Sequence, residues 1–204
     1  MSTDNAIYQL TNNILEALDS KQLVRGIFCD LSKAFDCVDH ETLLNKLEYY
    51  GRVTANKLIK SYLVDRSQRV LNKDNYFGTY FSEWNKVRRG VPQGSILGPL
   101  FFLFYINDLP ETLKYPSLPT LFAADINIVC VQRSPEGLMD DNVNILTKVD
   151  RWFQKNLLTL NLNKTNLVHF VTKTTVNIPD YIDLGQNQLF NSHIINFLGL
   201  TLDH

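Results

Sequence analysis

Two aspartates in separate stretches of this chain sit where a rigid backbone can present a carboxylate. Asp30 follows the apolar run Leu23–Phe28, at the end of a strand candidate, and Asp125 follows Leu121-Phe122-Ala123-Ala124, in a turn between two apolar runs. Oxygen ligands from separate segments suit a hard divalent cation, which keeps several waters and so needs few protein carboxylates. A strand-end Asp equally serves to cap the turn that follows it, and position alone leaves both roles open. Lys164, in Leu160-Asn161-Leu162-Asn163-Lys164-Thr165, is a mobile cation that can reach a phosphate or lie in water. The block Arg89-Gly90-Val91-Pro92-Gln93-Gly94-Ser95-Ile96-Leu97-Gly98-Pro99 has glycines that let backbone approach a ligand closely. Within it, Gln93 can both donate and accept through its amide. By spacing alone, Phe35 is an ordinary core aromatic.

The elements that must position these groups are legible as apolar periodicity. Residues 5–19 have helical spacing (Ile7, Leu10, Ile14, Leu18), and Leu23–Phe28 is a strand ending at Asp30. Asp39 caps a helix carrying Leu43, Leu44, Leu47 and Tyr50, and Gly51 stops it. Thr54 caps a second helix with Leu58, Ile59, Tyr62 and Leu63 on one face. Gln68–Leu71 and Tyr76–Phe81 read as a hairpin around Lys73-Asp74-Asn75, followed by Trp84–Val87. The loop from Gly90 opens a helix running through Asn107. Thr120–Ala123 and Ile126–Val131 flank the Ala124-Asp125 turn. Leu138–Leu158 has the period of a long amphipathic helix, and Leu167–Val171 and Phe197–Leu202 are further strands. Long helices with hairpin strands indicate an α+β fold.

The 204 residues, 45% apolar and 20% charged, suffice for one sizeable core. A net charge of −1 carries no global footprint for nucleic acid, because binding phosphates usually goes with a basic surplus. A neutral average still leaves room for a local basic face. Three cysteines without CxxC spacing read as reduced, mostly buried thiols of an intracellular protein, not as a disulfide frame or zinc site. No signal peptide is evident, and the longest apolar run, Ile96 to Ile106, is too short to span a bilayer.

Three blocks occur together and in order: Phe28-Cys29-Asp30-Leu31-Ser32-Lys33-Ala34-Phe35-Asp36, the Arg89–Pro99 segment continuing to Tyr105-Ile106-Asn107-Asp108-Leu109, and Leu121-Phe122-Ala123-Ala124-Asp125-Ile126. Together they resemble the reverse transcriptase (RNA-directed DNA polymerase) domain of non-LTR (LINE-type, jockey-like) retrotransposons. The likeness covers most of the chain, with the core motifs within residues 23–203. It implies a palm-type antiparallel sheet with helices packed on one face, in a single domain over 1–204 that includes part of the fingers and lacks the thumb. It implies two-metal transfer of a nucleotide from dNTP to a primer 3′-hydroxyl, with Mg²⁺ or alternatively Mn²⁺ as cofactor, and an RNA template and DNA primer as partners.

Residue roles come with the resemblance. Asp30 and Asp125 are the metal carboxylates, and Leu31 offers its carbonyl. Phe35 lies under the incoming sugar, where a ring excludes a 2′-hydroxyl. Pro92, Gln93 and Gly94 touch nucleotide and template, Lys164 protonates the leaving pyrophosphate, and Phe197-Leu198-Gly199 matches the primer grip. Asp36 and Asp39 are read as turn and helix-capping carboxylates.

The pattern breaks at Ala124, where the family has the first Asp of a pair that contacts metal. A methyl cannot coordinate Mg²⁺. Alternation along a strand is expected to turn Asp125 to the opposite side from position 124, away from the missing carboxylate's place. The departure implies a copy without the family's activity; the alternative is a catalytically dead, retrotransposon-derived nucleic-acid-binding or interaction module.

Overall fold

This computed structural model describes residues 2–51, 53–74, 78–171, 178–184 and 187–203; the side chains of 53–55 are also outside the description. The chain runs α1 (Thr3–Asp19), β1 (Leu23–Cys29), α2 (His40–Tyr49), α3 (Val53–Leu63), β2 (Ser67–Gln68), β3 (Leu71–Asp74), β4 (Gly78–Phe81), β5 (Asn85–Lys86) and α4 (Leu97–Ile106). It continues with α5 (Leu109–Thr112), β6 (Ser117–Phe122), β7 (Asp125–Gln132), α6 (Pro135–Lys155), β8 (Asn166–Phe170), β9 (Tyr181–Leu184), β10 (Asn187–Phe190), β11 (Ile194–Phe197) and β12 (Leu200–Asp203). The fold is α+β. It divides into two compact units, one of Met1–Ala34 with Asn107–His204 and one of Phe35–Ile106.

The first unit is built on an antiparallel sheet in the order β6-β7-β1-β8. β1 is central and its residues 24–29 are all buried, as expected of a strand covered on both faces. Val24 and Phe28 pack with Val129, Val131, Val168 and Phe170 against Ala6, Leu10, Ile14 and Ala17 of α1. Those α1 residues recur every three or four positions, and Ser2 caps the helix by accepting from the Asn5 amide at 3.2 Å. Arg25 lies one residue on from Val24 and so faces the other side. There its Nη1 donates to the Met139 sulfur of α6 at 3.3 Å, and its Nη2 to the Pro179 carbonyl at 2.7 Å. Helices therefore cover both faces of the sheet, not one as the resemblance implied. A strand buried at six successive positions needs cover on each side. α6 begins at Pro135 after the Ser134 cap and ends at Lys155, short of the expected Leu158; Leu157 has already turned into the left-handed region at φ +54°.

In the second unit, Asp39 caps α2 as expected, its Oδ1 accepting from the Thr42 amide at 2.9 Å, and Gly51 follows the helix at φ +77°. α3 starts at Val53, which places Thr54 within the first turn; its side chain lies outside the described residues. α4 buries Phe101, Phe102, Tyr105 and Ile106, and Ser95 Oγ accepts from the Gly98 amide at 2.9 Å to start it. The expected hairpin forms with different bounds. β2 pairs with β5, β3 pairs with β4, and the tip expected at Asn75, with the start of the strand expected from Tyr76, falls outside the described residues. Every residue of these four strands is exposed.

None of the three cysteines is joined in a disulfide, and burial pushes the Cys29 thiol up to about 12. Among the described residues no helix is long and apolar enough to cross a membrane.

Candidate active site

The β1–β7 ladder runs from Leu23↔Gln132 to Cys29↔Ile126. One further step of that register sets Asp30 across from Asp125. Directly opposed residues of an antiparallel pair share a face, so both carboxylates open onto the same side. They line one cavity of about 340 Å³ together with Asn127, Lys164, Asn166 and the β11 segment Ile194–Leu198.

The expectation that Asp125 turns away is thus overturned. The tip of the β6–β7 hairpin is Ala123-Ala124, because Phe122 pairs with Asp125. Ala124 belongs to the turn and not to the strand, so strand alternation does not relate positions 124 and 125. Ala123 takes up the tightest part of the turn at φ +50°. Asp125 opens β7, and burial together with the charge of Asp30 raises its carboxyl pKa above the usual carboxylate value.

Asp30 is held by the loop that follows α6. Its carbonyl accepts from the Asn161 amide at 2.8 Å, and its Oδ2 from Asn161 Nδ2 at 3.1 Å. Leu31 bridges Leu160 and is buried. The Asn161 carbonyl in turn accepts from the Thr165 hydroxyl at 2.9 Å and from the Lys164 amide at 3.1 Å, which ties the lysine loop to the carboxylate. Leu198 and Gly199, both at positive φ, form the two-residue tip of the β11–β12 hairpin, as primed turns require.

Two contributors escaped sequence reasoning. Asn161 sits in the segment that contains Lys164, and its side-chain role was visible only once the loop met Asp30. Asn127 is two residues from Asp125, hence on the same strand face. It is 3% exposed, and its Nδ2 has no hydrogen-bond acceptor among the described residues.

The remaining predicted residues lie in the second unit. Phe35 is half-buried with its ring 4.9 Å from that of Phe102, and its carbonyl accepts from Val91 N at 2.9 Å. Gly90 has φ +88°, and a Cβ there would stand 2.9 Å from the Asp36 backbone, so only glycine allows this approach. Pro92 is half-buried, while Gln93 and Gly94 are exposed. Gln93 Nε2 donates to Asp36 Oδ1 at 3.0 Å, a contact between segments far apart in sequence.

Whether these groups fit a divalent cation is a matter of donors. Asp30 and Asp125 are two oxygen-bearing side chains on one cavity, and a cation there would offset both the burial and the Asp30 charge that raise the Asp125 pKa. Among the described residues no group of three or more His, Cys, Asp or Glu is gathered to hold a metal. The set fits one hydrated ion, which completes its shell with water, and offers little for a second.

Comparison with known proteins agrees with this geometry. The family model described as reverse transcriptase (RNA-dependent DNA polymerase) matches residues 4–202. The chain is 32% identical to a probable RNA-directed DNA polymerase from transposon BS of Drosophila melanogaster, over 99% of this chain and 22% of the relative. It is 27% identical to the RNA-directed DNA polymerase from mobile element jockey of the same species, over 98% of this chain and 22% of that protein. The chain thus spans about a fifth of the length of these relatives. Among solved structures, apo telomerase from Candida tropicalis superposes with a TM-score of 0.62 at 13% identity, covering 99% of this chain and 35% of that one. Telomerase from Candida albicans, in complex with a fragment of telomeric RNA, gives 0.58 at 16% identity, covering 94% and 34%. At such identities these structures establish the palm-like fold alone. With motifs, fold and family model in agreement, the chain belongs to the reverse transcriptase (RNA-dependent DNA polymerase) family.

Proposed function

We propose that this domain descends from the palm of an RNA-directed DNA polymerase, acting on an RNA template, a DNA primer and dNTPs, and that this copy no longer performs nucleotidyl transfer. The observation that carries the loss is Ala124, a methyl at the hairpin tip where the family places a metal-binding carboxylate. Asp30 and Asp125, with the Leu31 carbonyl, would hold a single Mg²⁺ or Mn²⁺. A pair of such ions lowers the pKa of an attacking 3′-hydroxyl and neutralises charge in the in-line transition state. The chain's own groups do the rest. Asn161 fixes one Asp30 oxygen, and Lys164 supplies a positive charge to phosphates entering the cavity. Phe35, Pro92, Gln93 and Gly94 are assigned to the incoming nucleotide and template by the family motif. The alternative of a catalytically dead binding module is favoured by the same Ala124.

The test is primer extension on an RNA template with dNTPs and Mg²⁺ or Mn²⁺. Incorporation is expected to match the background of an Asp30→Ala control. Incorporation clearly above that control overturns the proposal. Ala124→Asp restores the carboxylate, and any gain of extension over the parent chain identifies position 124 as the block.

A further inference from the structure

The ribbon formed by β2, β3, β4 and β5 is exposed at each of its described residues and carries large side chains: Val70 is 68%, Phe81 54% and Trp84 61% exposed. A hairpin in water gains nothing from displaying such groups. Its register explains how they are arranged. Gln68 pairs with Asn85 and Leu71 with Phe81, so two residues on one strand face three on the other between these pairs. The extra residue is a β-bulge within Ser82–Trp84, closed by Ser82 N donating to the Val70 carbonyl at 2.9 Å and Val70 N to Ser82 Oγ at 2.8 Å. A bulge re-aims side chains. Without it, Phe81 and Trp84, three residues apart, would face opposite sides; with it, both rings meet Arg69, whose guanidinium carbon lies 3.9 Å and 4.6 Å from their centroids.

Charge segregates on the same ribbon. Ser67 pairs with Lys86 and Leu71 with Phe81, so alternation places Arg69, Lys73 and Lys86 on the face of Phe81 and Trp84. Asp74 falls on the other face. From Arg66 to Arg89 there are six basic and two acidic residues, a surplus of four within a chain whose net charge is −1.

We propose that this face binds single-stranded nucleic acid, its bases stacking on Phe81 and Trp84 and its phosphates meeting Arg69, Lys73 and Lys86. Arg69 holds one side of the two rings and preorganises them. Aromatic platforms within a basic track suit unstacked bases of any sequence, whereas a duplex hides its base faces. The surplus of cations selects a polyanion over an apolar or basic protein partner, and the exposed Phe81 and Trp84 rings favour nucleic-acid bases over the side chains of an acidic protein.

The test is anisotropy titration of the full chain with a labelled 20-nucleotide single-stranded RNA and with the matching duplex. Trp84 fluorescence is followed in parallel, buried Trp152 serving as the internal reference. Single strands are expected to bind more tightly than duplex and to quench Trp84. Trp84→Ala and Phe81→Ala are each expected to weaken binding about tenfold, and Arg69→Glu, which leaves both rings in place, to lower the salt slope by one or more. Circular dichroism and urea midpoints confirm that each variant folds. No binding, equal binding of duplex, or affinity unchanged in all three variants overturns the assignment, as does self-association of the chain through this face. Primer extension on the same preparations reads the catalytic cavity separately: absent extension with ring-dependent binding leaves the ribbon assignment standing.

Discussion

Asp30 and Asp125 repel each other across one register step, and only one of them is tied down. Asn161 donates to Asp30, while the Asp125 pKa is raised by burial first and by Asp30 second. The folded state therefore binds the Asp125 proton more tightly than the unfolded chain, whose reference value is 3.8. In the window above that value the folded state holds more protons, so stability falls as pH rises through the raised pKa. Asp125→Asn is expected to stabilise the chain in urea unfolding at pH 7 by less than about 1 kcal/mol, because this carboxyl is only partly withdrawn from water, which screens its repulsion from Asp30. The gain should vanish when the same titration is run below the unfolded-state value. A gain independent of pH would mean that packing, not charge, separates the two side chains. Asn127 could not be recognised from sequence, since an Asn in an apolar run reads as a flaw until its strand neighbour Asp125 is placed in the cavity.

At the scale of elements, the β6–β7 hairpin decides most about the site. A two-residue tip over Ala123-Ala124 starts β7 at Asp125 and so brings that carboxylate into line with Asp30. The cost is Ala123 at φ +50°, where a Cβ is strained by about 1 kcal/mol. Ala123→Gly is expected to stabilise the chain by up to about 1 kcal/mol in urea unfolding, less the entropy that glycine adds to the unfolded chain. A destabilisation would mean that the turn does not adopt this conformation. The bounds of α1, β1 and α2 were legible because caps and apolar spacing are local. The hairpin tip was not, because two alanines carry no turn preference and pairing alone selects which residues form the loop.

At the scale of the molecule, several large apolar side chains are left without cover. In the second unit an apolar groove of about 530 Å³ is lined by Leu47, Leu58, Ile59, Tyr62, Leu97, Leu100, Phe101 and Phe104. Leu58 is 73% exposed within it, and mixed surfaces of this kind bind hydrophobic dyes. Leu58→Lys combined with Leu100→Lys is expected to cut fluorescence of such a dye at least about twofold, with the unfolding free energy from urea titration changed by about 0.5 kcal/mol or less, as for surface substitutions. Unchanged dye fluorescence would place the dye-binding surface elsewhere.

By itself the sequence determined the family, the α+β class and the candidacy of Asp30, Asp125 and Lys164 for chemistry, because those follow from residue type, order and local periodicity. Tertiary structure alone decided that Asp125 shares a cavity with Asp30, that helices cover both faces of the sheet, and that a bulge gathers Phe81, Trp84 and Arg69. Each of these depends on strand register, a relation between distant segments: one residue more or less in a pairing turns a side chain to the other face, and no local pattern records that count.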